Sequence, residues 1–509
     1  MKGWEFTVEL DPGGDLPVFL QIARALAAAI RGARLRPGDP LPSSRSLATR
    51  LGVHRNTVLA AFDELRAEGW IEALPARRTQ VAMALPSPRA AAGGRRGAEE
   101  GRGEGRAREP GFEVPAMPLR PRPPTPPAGA MVLAGGAPDL RLVPKAALAR
   151  AYRRALLRRG DQLLEYGDPQ GLPELRAEVA AMLRAERGLS IGTDELIITR
   201  GSQMALALAA QVLLRPGDVV AVEAMGYRPA WDALAATGAE LVPVAVDEDG
   251  LDVEALAALA RRRRLRAVYL TPHHQFPTTA LLAAPRRLRL LEMAAAGRFA
   301  VLEDDYDNEL HYAGRPVLPL GSADRAGVVV YLGTLSKILA PGLRVGFLVA
   351  PPAIIARAAA LRERGDRQGD LVVEAALAEL FEDGEVLRHA RRMRRIYLGR
   401  RDALVAALAA RLAGAVSCSP PQGGMALWAR VDPAIDVDAW AERAAAAGVV
   451  VATGRAFAFD GLPRPGIRIG FGRWREEELR LAVDRLAAAL DAGRGRASPG
   501  ARSRGRRRP

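Results

Sequence analysis

The sequence is poor in cysteine and in lysine. Cys418 is its single cysteine, which excludes a disulfide framework and cysteine-rich zinc modules and is typical of a reducing cytosol. Only three of its 73 basic residues are lysines, namely Lys2, Lys145 and Lys337. None of them stands in the Gly-Lys-Ser/Thr context of a P-loop, which excludes ordinary P-loop NTPases. Because arginine has replaced almost every lysine, each remaining lysine calls for a chemical explanation.

Long apolar runs are also absent. No stretch approaches the roughly 18 uncharged apolar residues that a membrane-spanning helix needs, and no apolar segment follows Met1. The content of 49% hydrophobic and 26% charged residues is ordinary for a globular protein. We therefore expect a cytoplasmic protein without membrane contact, built from about two to four domains.

Composition divides the chain into four segments. We predict a small head over residues 1–82, a linker over 83–130, a body over 131–493 and a tail over 494–509. The linker holds ten prolines and eight glycines and the tail seven arginines without an acid, so neither can bury enough apolar surface to offset its ordering entropy, and both are predicted to be disordered. The net charge of +15 lies mostly in these two segments, since the head carries 11 basic and nine acidic residues.

The head has the pattern of a winged helix-turn-helix. Apolar residues four apart over 18–30 predict a first amphipathic helix. A short second helix, capped by Ser43 or Ser44, leads through a glycine turn into a third helix over about 54–68, which is followed by a hairpin. This order predicts DNA binding, although a small helical protein-interaction module fits the same pattern.

The body alternates apolar strand-like runs with alanine-rich helical stretches, which predicts a doubly wound, mostly parallel sheet. The predicted strands are Leu196–Thr199, Val219–Val222, Leu241–Val244, Ala267–Leu270, Phe299–Leu302 and Val328–Leu332. Ligand chemistry in such sheets belongs at the carboxyl ends of the strands, and five polar features follow or lie on strands of the body.

The first feature is Lys337, which follows the last predicted strand. A lysine in this place can serve as a Schiff-base amine when its pKa is depressed, whereas the alternative is a surface or salt-bridging lysine. Thr334, Ser336 and Arg344 stand close enough in sequence to bind a phosphate beside it.

The second feature is an acidic run that follows strand Phe299–Leu302. Asp304 could pair with a protonated pyridine nitrogen while Tyr306 hydrogen-bonds a ring hydroxyl. Acids in this place could instead bind Mg²⁺ beside a nucleotide, which the missing P-loop argues against.

The other three features are weaker. Ser202 and Gln203 begin a helix whose amides could receive an anion or merely form a cap. Tyr227 could stack on a flat ring or pack in the core. Arg468 alternates with apolar residues on a late strand, so it could clamp a carboxylate or lie along the sheet surface. His273 and His274 have no cluster of partner ligands, so we predict no metal site.

The head resembles the DNA-binding domain of GntR-family bacterial regulators along the run from Leu41 to Gly69. By that resemblance the DNA contacts would come from Ser44, Arg45, Arg55, Asn56 and Thr57. His54 stands where the family usually has a serine cap. The wing lacks the usual Gly-x-Gly and offers Arg77 and Arg78 instead.

The body resembles fold-type I aminotransferases over about 360 residues, with a mostly parallel sheet and a small C-terminal α+β domain. The resemblance implies that Lys337 forms the internal aldimine with pyridoxal 5′-phosphate and that Asp304 faces the pyridine nitrogen. Tyr227 would stack on the ring, with Tyr306 and Gln275 near its hydroxyl. The phosphate would be held by Ser202, Gln203, Ser336 and Arg344, and the substrate carboxylate by Arg468. Thr279 departs from the glycine that usually ends this family's HQFPxG loop.

A GntR-type head joined by a long linker to such a body resembles the MocR subfamily of bacterial regulators. The resemblance implies a homodimer that binds double-stranded operator DNA and senses an amine or amino acid, which would replace Lys337 in an external aldimine. Two alternatives stay open. The chain could be a working aminotransferase with an appended head, or a regulator whose ligand is pyridoxal phosphate itself.

Overall fold

The computed structural model describes residues 8, 10–14, 16–74, 78–86, 110–114, 125–312, 314 and 317–494. The chain separates into two compact units, Met1–Arg120 and Pro121–Pro509, and the division falls within the predicted linker. Most of that linker, the tail beyond residue 494 and the wing residue Arg77 lie outside the described residues.

The first unit is a winged helix-turn-helix, which confirms the predicted fold. Its elements are α1 (Val18–Arg31), α2 (Ser44–Leu51), α3 (Arg55–Ala67), β1 (Ile71–Leu74) and β2 (Arg78–Val81). The two strands pair antiparallel, with Ile71 opposite Val81. Leu26, Val58 and Leu65 are fully buried where the three helices meet, so the apolar stripes in the sequence form a single small core.

Local chemistry explains where α2 and α3 begin. Ser43 is the residue that caps α2, because its hydroxyl oxygen accepts a hydrogen bond from the backbone N–H of Ser46 at 3.2 Å. Gly52 ends that helix with a left-handed φ of 64°. His54 takes over the capping function of a serine, since its Nδ1 accepts the N–H of Asn56 at 3.3 Å.

The first prediction concerns the N-cap of α2. Ser43→Ala removes the acceptor for one N-terminal N–H, so it should lower the free energy of unfolding of the head by about 1 kcal/mol. Urea denaturation followed by a helix-sensitive signal measures the change. Ser46→Ala is the matched control: Ser46 is exposed inside the same helix, and there alanine should cost nothing. Equal stability of the two variants would contradict the capping assignment.

The second unit is built on a twisted sheet flanked by helices. Within its described residues seven strands pair in the order β4-β12-β11-β10-β9-β5-β6. These are β4 (Leu196–Thr199), β5 (Val219–Glu223), β6 (Glu240–Val244), β9 (Leu265–Leu270), β10 (Ala300–Asp305), β11 (Val329–Thr334) and β12 (Gly346–Val349). All run parallel except β12, which is antiparallel to both neighbours. The predicted α/β class with a mostly parallel sheet is confirmed.

Two corrections concern strand limits. Strand β12 was not predicted; its apolar run is only four residues long and begins with a glycine, Gly346. Strand β10 extends to Asp305 rather than ending at Leu302, so Asp304 lies on the strand itself. The pairing of Asp304 with Leu332 on β11 explains the extension, since the backbone ladder continues beyond the apolar run.

Helices cover both faces of the sheet. Successive strand residues alternate between two apolar clusters, with Val219 and Ala221 in one and Val220 and Val222 in the other, as a sheet buried on both sides requires. The helices are α4 (Lys145–Leu164), α5 (Pro173–Arg187), α6 (Ser202–Leu213), α7 (Arg228–Ala235), α8 (Val253–Arg262), α9 (Ala284–Gly297), α10 (Leu320–Ala323), α11 (Pro352–Gly365), α12 (Leu371–Glu382) and α13 (Glu385–Arg411).

A smaller α+β part completes the second unit. Its antiparallel sheet has the order β13-β14-β17-β16, formed by β13 (Val416–Ser417), β14 (Ala426–Val431), β16 (Ala452–Thr453) and β17 (Gly466–Gly470). Helices α14 (Val437–Ala446) and α15 (Glu476–Arg494) pack with it. Short pairs are made by β3 (Met131–Val132) with β15 (Val449–Val450) and by β7 (Val246–Asp247) with β8 (Gly250–Leu251). Across the described residues, no helix combines the length and apolar character needed to cross a membrane.

Candidate functional site

A cavity of about 230 Å³ lies at the carboxyl ends of β10 and β11. The body residues singled out by the sequence line it, with the exception of Gln275: they are Ser202, Gln203, Tyr227, Asp304, Tyr306, Ser336, Lys337, Arg344 and Arg468. Their positions along the chain span more than 260 residues, so the sheet and the smaller α+β part together create this site.

Lys337 follows β11 and points into the cavity. Its Nζ donates a hydrogen bond to the backbone oxygen of Gly136 at 2.8 Å. Burial lowers the pKa of Lys337, and nearby Arg468 lowers it further, while Asp307 and Asp304 oppose the shift. The side chain is therefore not the surface lysine of the alternative interpretation, and its amine is more easily freed of its proton than an ordinary one.

Asp304 presents one satisfied and one unsatisfied oxygen. The hydroxyl of Tyr269 donates to Oδ2 at 2.7 Å. Oδ1 is buried and has no hydrogen-bond partner among the described residues. Burial raises the pKa of Asp304 to about 6. A buried carboxylate oxygen without a donor costs free energy, so this atom is suited to a ligand that brings an N–H.

The loop before α6 and the start of β12 form a close backbone contact at one end of the cavity. A Cβ atom on Gly346 would lie 2.7 Å from both the carbonyl carbon of Gly201 and the N of Ser202, so only glycine allows this approach. Arg344 lies against the same loop and donates from Nη2 to the backbone oxygen of Arg200 at 2.9 Å. The result is a helix N-terminus with a guanidinium beside it, a combination that suits an anion.

Aromatic rings and Arg468 form another part of the cavity wall. Phe276 meets Tyr227 edge-on at 5.4 Å and Tyr306 at 6.2 Å between ring centroids. The guanidinium carbon of Arg468 lies 4.5 Å above the Phe276 ring, and its Nη1 donates to the backbone oxygen of Pro277 at 2.8 Å. Because Arg468 is buried and its Nε has no partner in the described part of the chain, it retains a donor for a ligand.

Gln275 is placed differently from the prediction. Its amide nitrogen donates to the backbone oxygens of Met225 and Phe276, both at 2.7 Å, and its amide oxygen accepts from the hydroxyl of Thr278 at 2.6 Å. The amide of Gln275 is therefore occupied by hydrogen bonds to Met225 and to its own loop, and the side chain does not line the cavity. Thr279 in the same loop adopts a left-handed φ of 62°, the conformation for which the family's glycine is suited.

Some residues of the cavity were not singled out from the sequence. Tyr269, Thr271, Phe276 and Asp307 all line it, whereas Thr334, which also lines it, was predicted with the phosphate-binding residues. The signal for Tyr269 was strand alternation, because it pairs with Leu302 and therefore lies on the same face of the sheet as Asp304 two residues further along. Phe276 and Asp307 lie in loops, where no period indicates a direction.

The head presents a separate polar surface at the start of two helices. Arg55 and Asn56 are exposed in the first turn of α3, and Thr57 is half-buried. The Nε of Arg55 donates to the hydroxyl of Ser44 at 3.3 Å, which joins the starts of α2 and α3. Arg45 and the wing residue Arg78 are also exposed. Side chains of these types can reach phosphates and base edges.

Comparison with known proteins assigns both parts of the chain. Residues 19–81 match the family of bacterial regulatory proteins of the gntR family, and residues 128–486 match aminotransferase class I and II. The probable rhizopine catabolism regulatory protein MocR of Rhizobium meliloti is 32% identical, across 94% of this chain and 95% of that protein. The chain belongs to the MocR subfamily of GntR-family regulators.

Two further similarities concern the whole chain and the body, respectively. The HTH-type transcriptional regulator TauR of Rhodobacter capsulatus is 34% identical over 94% of this chain and 98% of its own length. The crystal structure of LysN, an α-aminoadipate aminotransferase from Thermus thermophilus complexed with N-(5′-phosphopyridoxyl)-L-leucine, covers 72% of this chain and 93% of its own, with 32% identity and a TM-score of 0.67. As in other MocR regulators, a DNA-binding head and an aminotransferase-like body share one chain.

Pyridoxal 5′-phosphate is the cofactor of this MocR body, and the cavity fits it on two observations. The unpaired Oδ1 of Asp304 matches the N–H of a protonated pyridine ring. The close contact of Gly346 with Gly201 and Ser202 leaves the helix amides facing the cavity, as a phosphate group requires.

The second prediction concerns the pH dependence of cofactor binding, which follows from the titration of Asp304. With a pKa of about 6 this carboxyl is ionised at pH 7 and mostly protonated at pH 5, and its protonated form cannot balance a pyridinium. Affinity for pyridoxal phosphate should therefore fall by about tenfold between pH 7 and pH 5. Equilibrium dialysis at each pH measures it. Asp304→Asn should bind more weakly at pH 7 and show a flatter profile, and identical pH profiles for the two proteins would refute the role.

Proposed function

We propose that this MocR regulator senses a primary amine or an amino acid at Lys337 and converts its binding into a change of affinity for operator DNA. The observation that carries the proposal is one partly buried lysine in a cavity that also contains an unpaired Asp304 oxygen and a buried Arg468 with a spare donor. A cavity of this kind can hold the cofactor and still recognise a second small molecule.

The aldehyde of pyridoxal phosphate condenses with primary amines and its pyridine ring withdraws electrons. Lys337 would be the amine that holds the cofactor, and an effector amine would take its place. Asp304 would pair with the pyridine nitrogen, and Tyr227 would contact the ring. The hydroxyl of Tyr306, which donates to the backbone oxygen of His274 at 2.9 Å, would accept a hydrogen bond from the ring hydroxyl. The phosphate would be bound by four side chains that line the cavity: Ser202, Gln203, Ser336 and Arg344. Gln275 is left out of this set, because its amide is used within its own loop.

Arg468 selects the class of effector. A buried guanidinium that already donates to one backbone oxygen gains most from a planar carboxylate, which it binds through two parallel hydrogen bonds. We therefore expect α-amino acids, or amines that carry a carboxylate at a similar distance, to act as effectors. The response is proportional to the difference in affinity of the effector for the two DNA-binding states.

The protein acts as a homodimer in the bacterial cytoplasm, where the operator DNA lies. Support for a second copy comes from helix α4 and the segment after it, where Leu157 and Leu164 are each 75% exposed and Tyr166 is 72% exposed. Apolar side chains grouped in this way favour a covering partner. A dimer carries two heads, which suits an operator with two half-sites.

Removal of the reactive amine makes the third prediction. Lys337→Ala should bind operator DNA as the unaltered protein does, because the head does not contain this residue, yet its DNA affinity should no longer respond to any amine. Gel-shift titration with and without candidate amino acids measures both properties. Lys145→Ala is the matched control, since Lys145 is exposed at the start of α4 and should leave the response intact. An effector response that survives in Lys337→Ala would refute the proposal.

The DNA surface makes the fourth prediction. Arg55→Ala should weaken binding to the operator by about tenfold or more, since one bidentate arginine–guanine pair contributes about 1–3 kcal/mol of discrimination. Arg24→Ala is the control, because Arg24 is exposed in the middle of α1 and is not among the predicted DNA contacts. Fluorescence anisotropy with operator and scrambled DNA separates specific from general binding. Equal losses in the two variants would contradict the assigned surface.

Aminotransferase activity is the second candidate, and the complete set of Lys337, Asp304 and Arg468 in one cavity favours it. Sensing and transamination share their first steps, so the two differ in what happens afterwards. Sustained conversion of an amino acid and a keto acid by the purified chain would identify an enzyme. A single stoichiometric conversion that then stops would identify a sensor. Titrating cofactor against DNA affinity with amines absent tests whether pyridoxal phosphate alone is the ligand.

A further inference from the structure

A second carboxylate, Asp307, lines the cavity and has no role in the function proposed above. It follows β10 by two residues and is 3% exposed. Its Oδ1 lies 2.7 Å from Nδ1 of His274, which is also buried. Gly424 packs directly against the pair, because a Cβ there would lie 2.6 Å from Oδ2 of Asp307. Backbone of the smaller α+β part thus shields this side of the pair from water.

Each member of the pair favours the charged form of the other. Burial by itself would raise the pKa of Asp307, but the charge and hydrogen bond of His274 hold it below the usual value. Burial would likewise lower the pKa of His274, but Asp307 raises it above the usual value. The interaction with His274 therefore outweighs the effect of burial on the pKa of Asp307, and Asp307 remains a carboxylate inside the protein.

Three charged groups act on the amine of Lys337. Asp304 comes from β10, Asp307 from the turn after it and Arg468 from β17. Among the carboxylates, Asp307 has the larger effect, raising the pKa of Lys337 against burial and against Arg468. The other titratable groups that act on Asp307 are His274, His273, Tyr306 and Tyr312. In the proposed function Asp304 is engaged with the pyridine nitrogen, which leaves Asp307 as the carboxylate for the amine.

We propose that Asp307, kept ionised by His274, is a further residue of the amine site and holds a proton on the nitrogen at Lys337. The same carboxylate would favour an effector that arrives with its amine protonated. This inference rests on the proposed role of Lys337 as the reactive amine, and it adds the group that sets the charge of that amine. His274 is a positioning residue, since it acts through Asp307.

The low lysine content allows a direct test, which is the fifth prediction. The full-length protein, prepared without cofactor, is treated with an amine-reactive reagent over a range of pH, and modification of each lysine is measured by mass spectrometry. In Asp307→Asn the midpoint for Lys337 should move down by about one pH unit, because a carboxylate that stabilised the ammonium has been removed. Lys145 is an internal reference in the same sample, and its midpoint should not move.

Asp305→Asn is the matched control variant. Asp305 is buried one residue beyond Asp304, and its Oδ2 accepts from Tyr331 and Asn308 instead of facing Lys337. Should Asp307→Asn fail to fold, as judged by thermal unfolding, Asp307→Ser is smaller and keeps an acceptor for His274, so the same comparison applies. An unchanged or higher Lys337 midpoint in the Asp307 variant, or an equal fall in Asp305→Asn, overturns the inference.

The cofactor-loaded protein provides a second reading. The pH at which its visible absorption band changes should fall in Asp307→Asn and return toward the original value in Asp307→Glu, which restores the charge. Neither measurement uses effector or DNA, so a negative result would leave the proposed sensing function standing. Loss of effector response in Lys337→Ala tests that function separately.

Discussion

The burial of one primary amine is the constraint on which the rest of the body depends. An ammonium group removed from water is costly unless opposite charge lies near, and an amine that loses its proton becomes a nucleophile. The cavity meets both conditions, because Asp304 and Asp307 oppose the effects of burial and of Arg468 on Lys337. The balance of these four charges decides whether the nitrogen holds a proton at neutral pH.

The sheet is the means by which these charges are brought together. Parallel strands end at one edge, so β10 and β11 deliver Asp304 and Lys337 to the same place although 33 residues separate them in sequence. The antiparallel strand β12 then returns the chain so that Gly346 can pack against the loop before α6. Arg468 reaches the cavity from the separate sheet of the α+β part. There its guanidinium contacts the loop around Pro277, so the packing of that part against the main sheet also places Arg468 in the cavity.

Much of this arrangement was predictable from the residues alone. Each apolar run predicted as a strand of the main sheet is one, because strands buried on both faces read as continuous hydrophobic segments. The scarcity of lysine singles out Lys337 in the sequence. The directions of side chains in loops are not predictable from local patterns, so the structure differs from the prediction for Gln275, and no pattern indicates Asp307. Strand β10 is longer than predicted, because its polar end continues a ladder that only the partner strand reveals.

The sequence by itself determined the order of elements, the winged helix-turn-helix pattern, the αβ alternation and the choice of Lys337 as the candidate for the reactive amine, because these follow from local periodicity, turn residues and composition. The tertiary structure alone decided which oxygen of Asp304 remains unpaired, that His274 and Asp307 form a buried pair, and that Gln275 turns away from the cavity. Those outcomes depend on contacts between segments distant in the chain. The free energies that favour these contacts come from burial and hydrogen bonding between distant segments, and no local sequence pattern predicts them.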